Sequence, residues 1–163
     1  MDTNKHIRAW VSLQGLPVIT LSNGIKVGTV EDFYMDAESN EVRALQVNYG
    51  ILGIRTLPND FISEIRPDAI TAPNPQALID PKRDGRLPAL ILGSSLRSYK
   101  LMSEKGQLIG PIADIVLATY PPIALRVAGF VVSGSRDMVP ANAATKYDKD
   151  VIYILDNVAK SFL

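Results

Sequence analysis

Asn23-Gly24-Ile25-Lys26-Val27-Gly28-Thr29-Val30-Glu31-Asp32-Phe33 has a counterpart 82 residues later, Lys105-Gly106-Gln107-Leu108-Ile109-Gly110-Pro111-Ile112-Ala113-Asp114-Ile115. Both follow the form x-G-x-x-[VI]-G-x-[VI]-x-D-[FI]. The same offset carries Leu57-Pro58 onto Val139-Pro140, Asp68 onto Asp150 and Ile70 onto Ile152. Leu45-Gln46-Val47 matches Leu125-Arg126-Val127 at an offset of 80, which implies a turn shortened by two residues in the second copy. Blocks agreeing in order along a chain are the signature of an internal repeat.

Each copy reads as short strands. Val18 to Leu21 runs into Ser22-Asn23-Gly24, and Asn-Gly between apolar runs signals a hairpin. Val27 to Met35 alternates, with Gly28 marking a bulge or a close backbone approach. Asp36 to Asn40 is a polar turn before a strand over Val42 to Val47. Tyr49 to Gly53 turns the chain into Ile54 to Leu57, Asn59 to Ile62 forms one helical turn, and Ile70 opens a last strand. The second copy takes Lys100 to Met102, Ile123 to Val127, Gly129 to Val132, Met138 to Pro140 and Val151 to Ile154 as strands. It has a helical turn over Ala141 to Thr145 and a terminal helix capped by Asp156. Short strands at this spacing predict an all-β fold of two tandem small barrels with short helical turns. Four prolines between Thr71 and Ala89 predict an extended linker, with Gln76 to Ile79 as a docked turn. The expected organisation is a first barrel at 7–75, a Pro-rich linker at 76–90 and a second barrel at 91–163.

Composition narrows the function classes. Hydrophobic residues make up 47% and charged residues 21%, which suits a folded, soluble chain. Lys plus Arg and Asp plus Glu balance at 17 each, so no global charge draws the chain to nucleic acid or an anionic membrane. Residues 1–75 carry 6 − 9 = −3 and residues 76–163 carry 11 − 8 = +3, a modest dipole. With no cysteine, disulfides, thiolate nucleophiles and Cys-based metal sites are excluded. Met1 to His6 lacks the order of a secretory leader, and no apolar run reaches the roughly 20 residues of a membrane helix. A cytoplasmic protein without membrane insertion is expected.

The motif order resembles the PRC-barrel family. The resemblance rests on Trp10 to Leu13, Gly15-Leu16-Pro17-Val18, Asn23-Gly24, Gly28 to Asp32, the acidic turn Asp36 to Asn40, Val42 to Val47 and Leu57-Pro58. It covers residues 7 to 72 closely and 93 to 155 more loosely, where Pro111 sits inside the G-x-[VI]-x-D strand and the acidic turn is replaced by Tyr120-Pro121-Pro122. The resemblance implies a small β-barrel that works as a binding or assembly module. Members include the cytoplasmic subunit of photosynthetic reaction centres, whose membrane helix has no counterpart here, and the ribosome-maturation factor RimM, which joins one such barrel to a different one. Fold alone does not confer function.

No residue set points to catalysis, a cofactor or a metal. His6 is the one histidine and reads as an exposed N-terminal residue without partners. Asp32 and Asp114 occupy matching places and read as acceptors for bulge or turn backbone rather than as an acid pair. Asp36, Glu38, Asn40 and Glu41 suggest a calcium loop, yet Glu41 stands where the loop's glycine belongs and Val47 where its bidentate glutamate belongs. The glycines follow no phosphate-binding pattern. Ser94-Ser95 and Ser133 to Ser135 have no nearby base.

Two features favour contact with macromolecules. Tyr49-Gly50-Ile51-Leu52-Gly53-Ile54 puts large aliphatics in a turn, where polar residues are usual; exposed, it is a sticky hairpin for a partner or a second copy, and folded against the sister barrel it is core. The expectation is therefore a non-enzymatic adaptor that binds a protein partner or self-associates. Its contacts are Tyr49, Ile51, Leu52 and Ile54, with Tyr120, Pro121 and Pro122 on the second barrel completing a composite groove. The alternative is an RNA-linked role in ribosome maturation or RNA processing, by analogy with RimM, with Lys82, Arg83 and Arg86 on phosphates. Arg97, Lys100 and Lys105 extend that basic edge, but only Tyr99 offers an aromatic platform.

Overall fold

A computed structural model describes residues 6–163; residues 1–5, which include most of the segment read for a leader, lie outside them. Strands dominate. In chain order they are β1 (Ile7–Ala9), β2 (Pro17–Thr20), β3 (Ile25–Met35), β4 (Val42–Asn48), β5 (Ile54–Pro58), β6 (Glu64–Ile65), β7 (Ile70–Ala72), β8 (Ile91–Leu92), β9 (Lys100–Ser103), β10 (Leu108–Ala118), β11 (Arg126–Val132), β12 (Met138–Pro140), β13 (Ala144–Asp148) and β14 (Val151–Ile154). Three short helices, α1 (Trp10–Leu13), α2 (Gly93–Arg97) and α3 (Asp156–Ala159), accompany them.

The repeat is real in three dimensions. One seven-stranded sheet runs β5-β4-β3-β2-β7-β6 and the other runs β12-β11-β10-β9-β14-β13, each with one further strand attached. β2 pairs parallel with β7 through Val18 and Ile70, as β9 does with β14 through Leu101 and Ile152. Among the described residues the end strands of each sheet do not pair with each other, so the sheets are curled but not closed barrels. Phe33 pairs with Leu45, and its equivalent Ile115 pairs with Phe130. Leu45 therefore corresponds to Phe130, an offset of 130 − 45 = 85, which corrects the match to Leu125. The β10–β11 connection is longer, not shorter: its Pro122–Ala124 stretch is a 3-10 turn, and β11 begins only at Arg126.

Each sheet borrows a strand from the other half. β1 pairs antiparallel with β10 (Ile7 with Ala118, Ala9 with Val116), and β8 pairs antiparallel with β3 (Tyr34 with Leu92, Met35 with Ile91). α1 packs on β10 and α2 on β3. The opening strand and helix of each repeat therefore cover the sister sheet. This reciprocal exchange crosses the boundaries expected at 7–75 and 91–163. One continuous core results, and buried Trp10, Leu13, Phe33, Leu96, Ile115 and Phe130 all belong to it.

Residues 76–90 are not a free extended linker. Pro75–Ala77, Pro81–Arg83 and Leu87–Ala89 are 3-10 turns with proline at an opening position, where its missing N–H goes unneeded. Ile79 exchanges both backbone hydrogen bonds with Thr56 of β5 (2.8 and 2.9 Å), and Ala77 and Leu78 are buried. This docks the segment along an edge strand that would otherwise stay unpaired.

The expected devices of the hairpin are present. Gly24 adopts φ +66° in the β2–β3 turn, where the Thr20 hydroxyl donates to Asn23 Oδ1. The ladder shifts register opposite Gly28, and a Cβ there would collide with the Asn48 carbonyl oxygen. Asp156 opens α3 rather than capping it; Leu155 is the N-cap residue, and Asp156 Oδ1 accepts the Lys105 N–H at 3.3 Å.

Candidate functional site

Two separate surface regions collect the residues singled out from sequence. The first is the β4–β5 turn. Asn48 Oδ1 accepts the Gly50 N–H (2.9 Å), Asn48 Nδ2 donates to Glu31 Oε1 (2.9 Å), and the Tyr49 N–H donates to the Gly53 carbonyl (2.8 Å). Gly50 and Gly53 take φ +73° and +81°, a region open to glycine without strain. These bonds hold Gly50–Leu52 as one 3-10 turn whose tip carries Ile51, fully exposed, and Leu52, 60% exposed. Ile54 is partly exposed, and Tyr49 is half-buried with the Arg55 guanidinium 6.0 Å from its ring centroid. Beside the turn lies a shallow depression of about 590 Å³, bounded by Tyr49, Leu52, Arg55, Leu78 and Arg83.

The second region is a cleft of about 490 Å³ where the two halves meet, between residues 63–67 and Thr119–Pro122. Tyr120 is 64% exposed, Pro121 is exposed and Pro122 half-buried. The expected composite groove is therefore split. Tyr120 and Pro122 line the junction cleft, whereas Tyr49 and Leu52 line the depression over the linker. His6 is not a loose, exposed residue: its ring stacks on Tyr120 (centroids 4.7 Å apart), and its carbonyl accepts the Thr119 N–H at 2.8 Å. The pairing of β1 with β10 brings it there, and nothing local to His6 signals a partner 113 residues away.

Of the three linker cations, Arg86 is committed. Its Nε and Nη2 donate to the two carboxylate oxygens of buried Asp84 (3.0 and 2.9 Å), a bidentate pair. The Arg86 side chain, foremost through that hydrogen bonding, holds the Asp84 carboxyl below the usual carboxylate range. Lys82 and Arg83 are exposed, and Arg83 joins the rim of the depression beside Leu52.

Asp32 and Asp114 work on backbone. Asp32 Oδ1 accepts the N–H groups of Phe33 (2.8 Å) and of Ser94 in α2 (3.0 Å), while Asp114 Oδ1 accepts that of Ile115 (2.8 Å). Asp32 thus fastens the exchanged helix to the sister sheet. In the acidic turn, Asp36 Oδ1 accepts the Glu38 N–H, which with Arg43 lowers the Asp36 pKa, and Arg43 also pairs with Glu41. No group of three or more His, Cys, Asp or Glu able to hold a metal occurs among the described residues. No helix among them is long and apolar enough to cross a membrane.

The PRC-barrel domain family model matches residues 6–78. That stretch is a PRC-barrel domain. No curated protein matches the chain. The match stops before β8, yet residues 100–154 repeat the strand order of the PRC-barrel domain, so the architecture is present twice.

The junction between the PRC-barrel domain and its sister unit is also where sequence reasoning missed the most. The acidic turn of the PRC-barrel domain docks on the sister unit. The Val42 N–H donates to the Leu125 carbonyl and the Val127 N–H to the Asn40 carbonyl, both at 2.8 Å. Tyr147, on β13, donates its hydroxyl to Asn40 Oδ1 at 2.6 Å. Burial pushes the Tyr147 phenol well above its ordinary range. Such a group ionises first in the unfolded chain, near pH 10. Its contribution is therefore complete below that pH and is lost as the pH rises toward the folded value. Tyr147→Phe is expected to cost roughly 0.5–1.5 kcal/mol at pH 7 for the lost hydrogen bond. The variant should also show a shallower loss of stability above pH 10 than the parent, as read from urea midpoints at pH 7 and 11.

Proposed function

We propose that this chain is a non-enzymatic adaptor that uses the β4–β5 turn of its PRC-barrel domain to bind a protein partner or a second copy of itself. The observation that carries this reading is Ile51: an aliphatic side chain, fully exposed, at the tip of a turn braced by Asn48. A held-out apolar anchor loses little conformational freedom on binding, which is what an interface anchor requires. Leu52 and Tyr49 continue the apolar surface toward the depression, and Arg55 and Arg83 supply charge at its rim.

Replacing Ile51 and Leu52 together by serine tests the reading. The substitutions lie on an exposed turn, so unfolding free energy is expected to move by no more than about 0.5 kcal/mol. Self-association in analytical ultracentrifugation, or retention of a nuclease-resistant protein partner in a pull-down, is expected to fall at least tenfold, about 1.4 kcal/mol. Association that survives the double substitution, or a partner lost on nuclease treatment, overturns it; the latter would move the assignment to RNA.

A further inference from the structure

The two junctions between the halves are built from equivalent parts, and one of them is filled while the other stands open. Ile65 pairs with Ile70 on one side and Tyr147 pairs with Ile152 on the other, so Ile65 and Tyr147 hold the same place in the two units. At one junction the Tyr147 ring packs edge-on to Phe130 (6.5 Å) and its hydroxyl reaches Asn40 of the opposing turn. At the other, Ile65 has neither ring nor hydroxyl, and the space between residues 63–67 and the opposing turn at Thr119–Pro122 is the cleft of about 490 Å³. That size is within the usual range of small-molecule pockets.

The walls of the cleft are chemically specific. Tyr120 and His6 present stacked rings, Ile65 and Pro122 an apolar surface, and Arg8 a guanidinium. Arg8 donates to the carbonyls of Arg66 (2.6 Å), Pro67 (3.2 Å) and Ser12 (3.3 Å), which fixes its position. No carboxylate among the described residues lies within ion-pair distance of it, since Glu64, the acid lining the cleft, is paired with Arg66 at 3.1 Å. Partial burial already lowers the Arg8 pKa. A guanidinium carries five N–H donors, so two remain beyond the three carbonyl bonds. A positioned cation that no carboxylate among the described residues pairs with, beside aromatic rings, favours a flat anion.

We infer that this junction cleft binds a small planar aromatic carboxylate, its ring taking the place that Tyr147 fills at the sister junction and its carboxylate meeting Arg8. The cleft lies apart from the Ile51 turn, so the adaptor reading and this one stand or fall separately.

The experiment is an amide-shift titration of the full chain with 4-hydroxyphenylacetate, following Arg66 and Thr119. Saturable shifts at these two positions are expected. Tyramine, which has the same ring but a cationic arm, should bind at least roughly tenfold more weakly. Ile65→Tyr copies the residue that closes the sister junction. It should keep the fold and weaken 4-hydroxyphenylacetate binding at least tenfold, and Arg8→Gln should weaken it comparably. The Ile51→Ser/Leu52→Ser variant should bind as the parent does. Absence of saturable shifts, equal binding of tyramine, or unchanged affinity in Ile65→Tyr would each overturn the assignment.

Discussion

Residues 1–78 expressed alone are expected to show no cooperative unfolding transition, although they contain the whole family match. The cause is the strand exchange. In the full chain β8 completes the end of β3 through Tyr34 and Met35, and α2 lies on Phe33; none of this belongs to the fragment. Phe33, Tyr34 and Met35 are buried, and uncovering large apolar side chains costs roughly 1.5–3 kcal/mol each. Trp10 and Leu13, carried in the fragment on α1, lose β10 in turn. Against these losses a folded unit of this size has only about 0.05–0.15 kcal/mol per residue, or roughly 4–12 kcal/mol in total. Mixing fragments 1–78 and 79–163 is expected to restore a folded complex, because the cut falls between Leu78 and Ile79, away from both exchanged strands. Circular dichroism and urea titration of each fragment, alone and mixed, make the check. A sharp transition from 1–78 alone, at the midpoint of the full chain, would show that the exchange is dispensable.

The same exchange marks the limit of what local sequence carries. Asn23-Gly24, Gly28 and the offset of 82 identify the hairpin, the bulge and the repeat because turn and bulge chemistry is written in neighbouring residues. Leu57-Pro58 and Val139-Pro140 are legible for the same reason, being edge strands ended by proline. The β4 register was not. Alternating apolar strands match one another at several offsets, and the true one depends on the connection: 42 − 35 = 7 residues from Met35 to its partner Val42, but 127 − 117 = 10 from Leu117 to Val127. β6 and β13 escaped notice because Glu64-Ile65 and Ala144 to Asp148 are too short or too polar to show a period. Ile7 to Ala9 reads as the lead of its own barrel, and nothing in three residues says that they pair with Val116 to Ala118. Of the candidate site, the exposed aliphatic turn was visible because aliphatics at Ile51 and Leu52 break the rule for turns. The cleft was invisible because it depends on Arg8, Ile65 and Tyr120 meeting across the halves.

Gly93→Val is expected to destabilise the chain by about 3 kcal/mol, the upper end of the usual cost of overpacking a core. Gly93 opens α2 directly over the Phe33 ring. A Cβ there would stand 2.6 Å from Cδ1 and 2.7 Å from Cζ, and nearer still to Cε1. The ring cannot yield easily, because Phe33 is fully buried and Trp10 holds it edge-on at 4.8 Å. In the repeat, Leu13 and Leu96 are equivalent buried residues of α1 and α2, which places Trp10 opposite Gly93 in the alignment. The equivalent positions differ in size: α2 places Gly93 over Phe33 of β3, whereas α1 carries Trp10, whose ring packs edge-on to that same Phe33. The α2 half of the exchange thus rests on a close fit of glycine against a buried ring. Phe33→Ala alone is expected to cost about 3–5 kcal/mol through the cavity it leaves. In the double variant the valine enters space the ring vacated, so the combined loss should fall short of the sum by roughly 1–3 kcal/mol. Urea midpoints of the four chains complete the cycle. A strictly additive result would mean that Gly93 and Phe33 do not share one packing site, and that the strand exchange is held by its backbone pairing rather than by this contact.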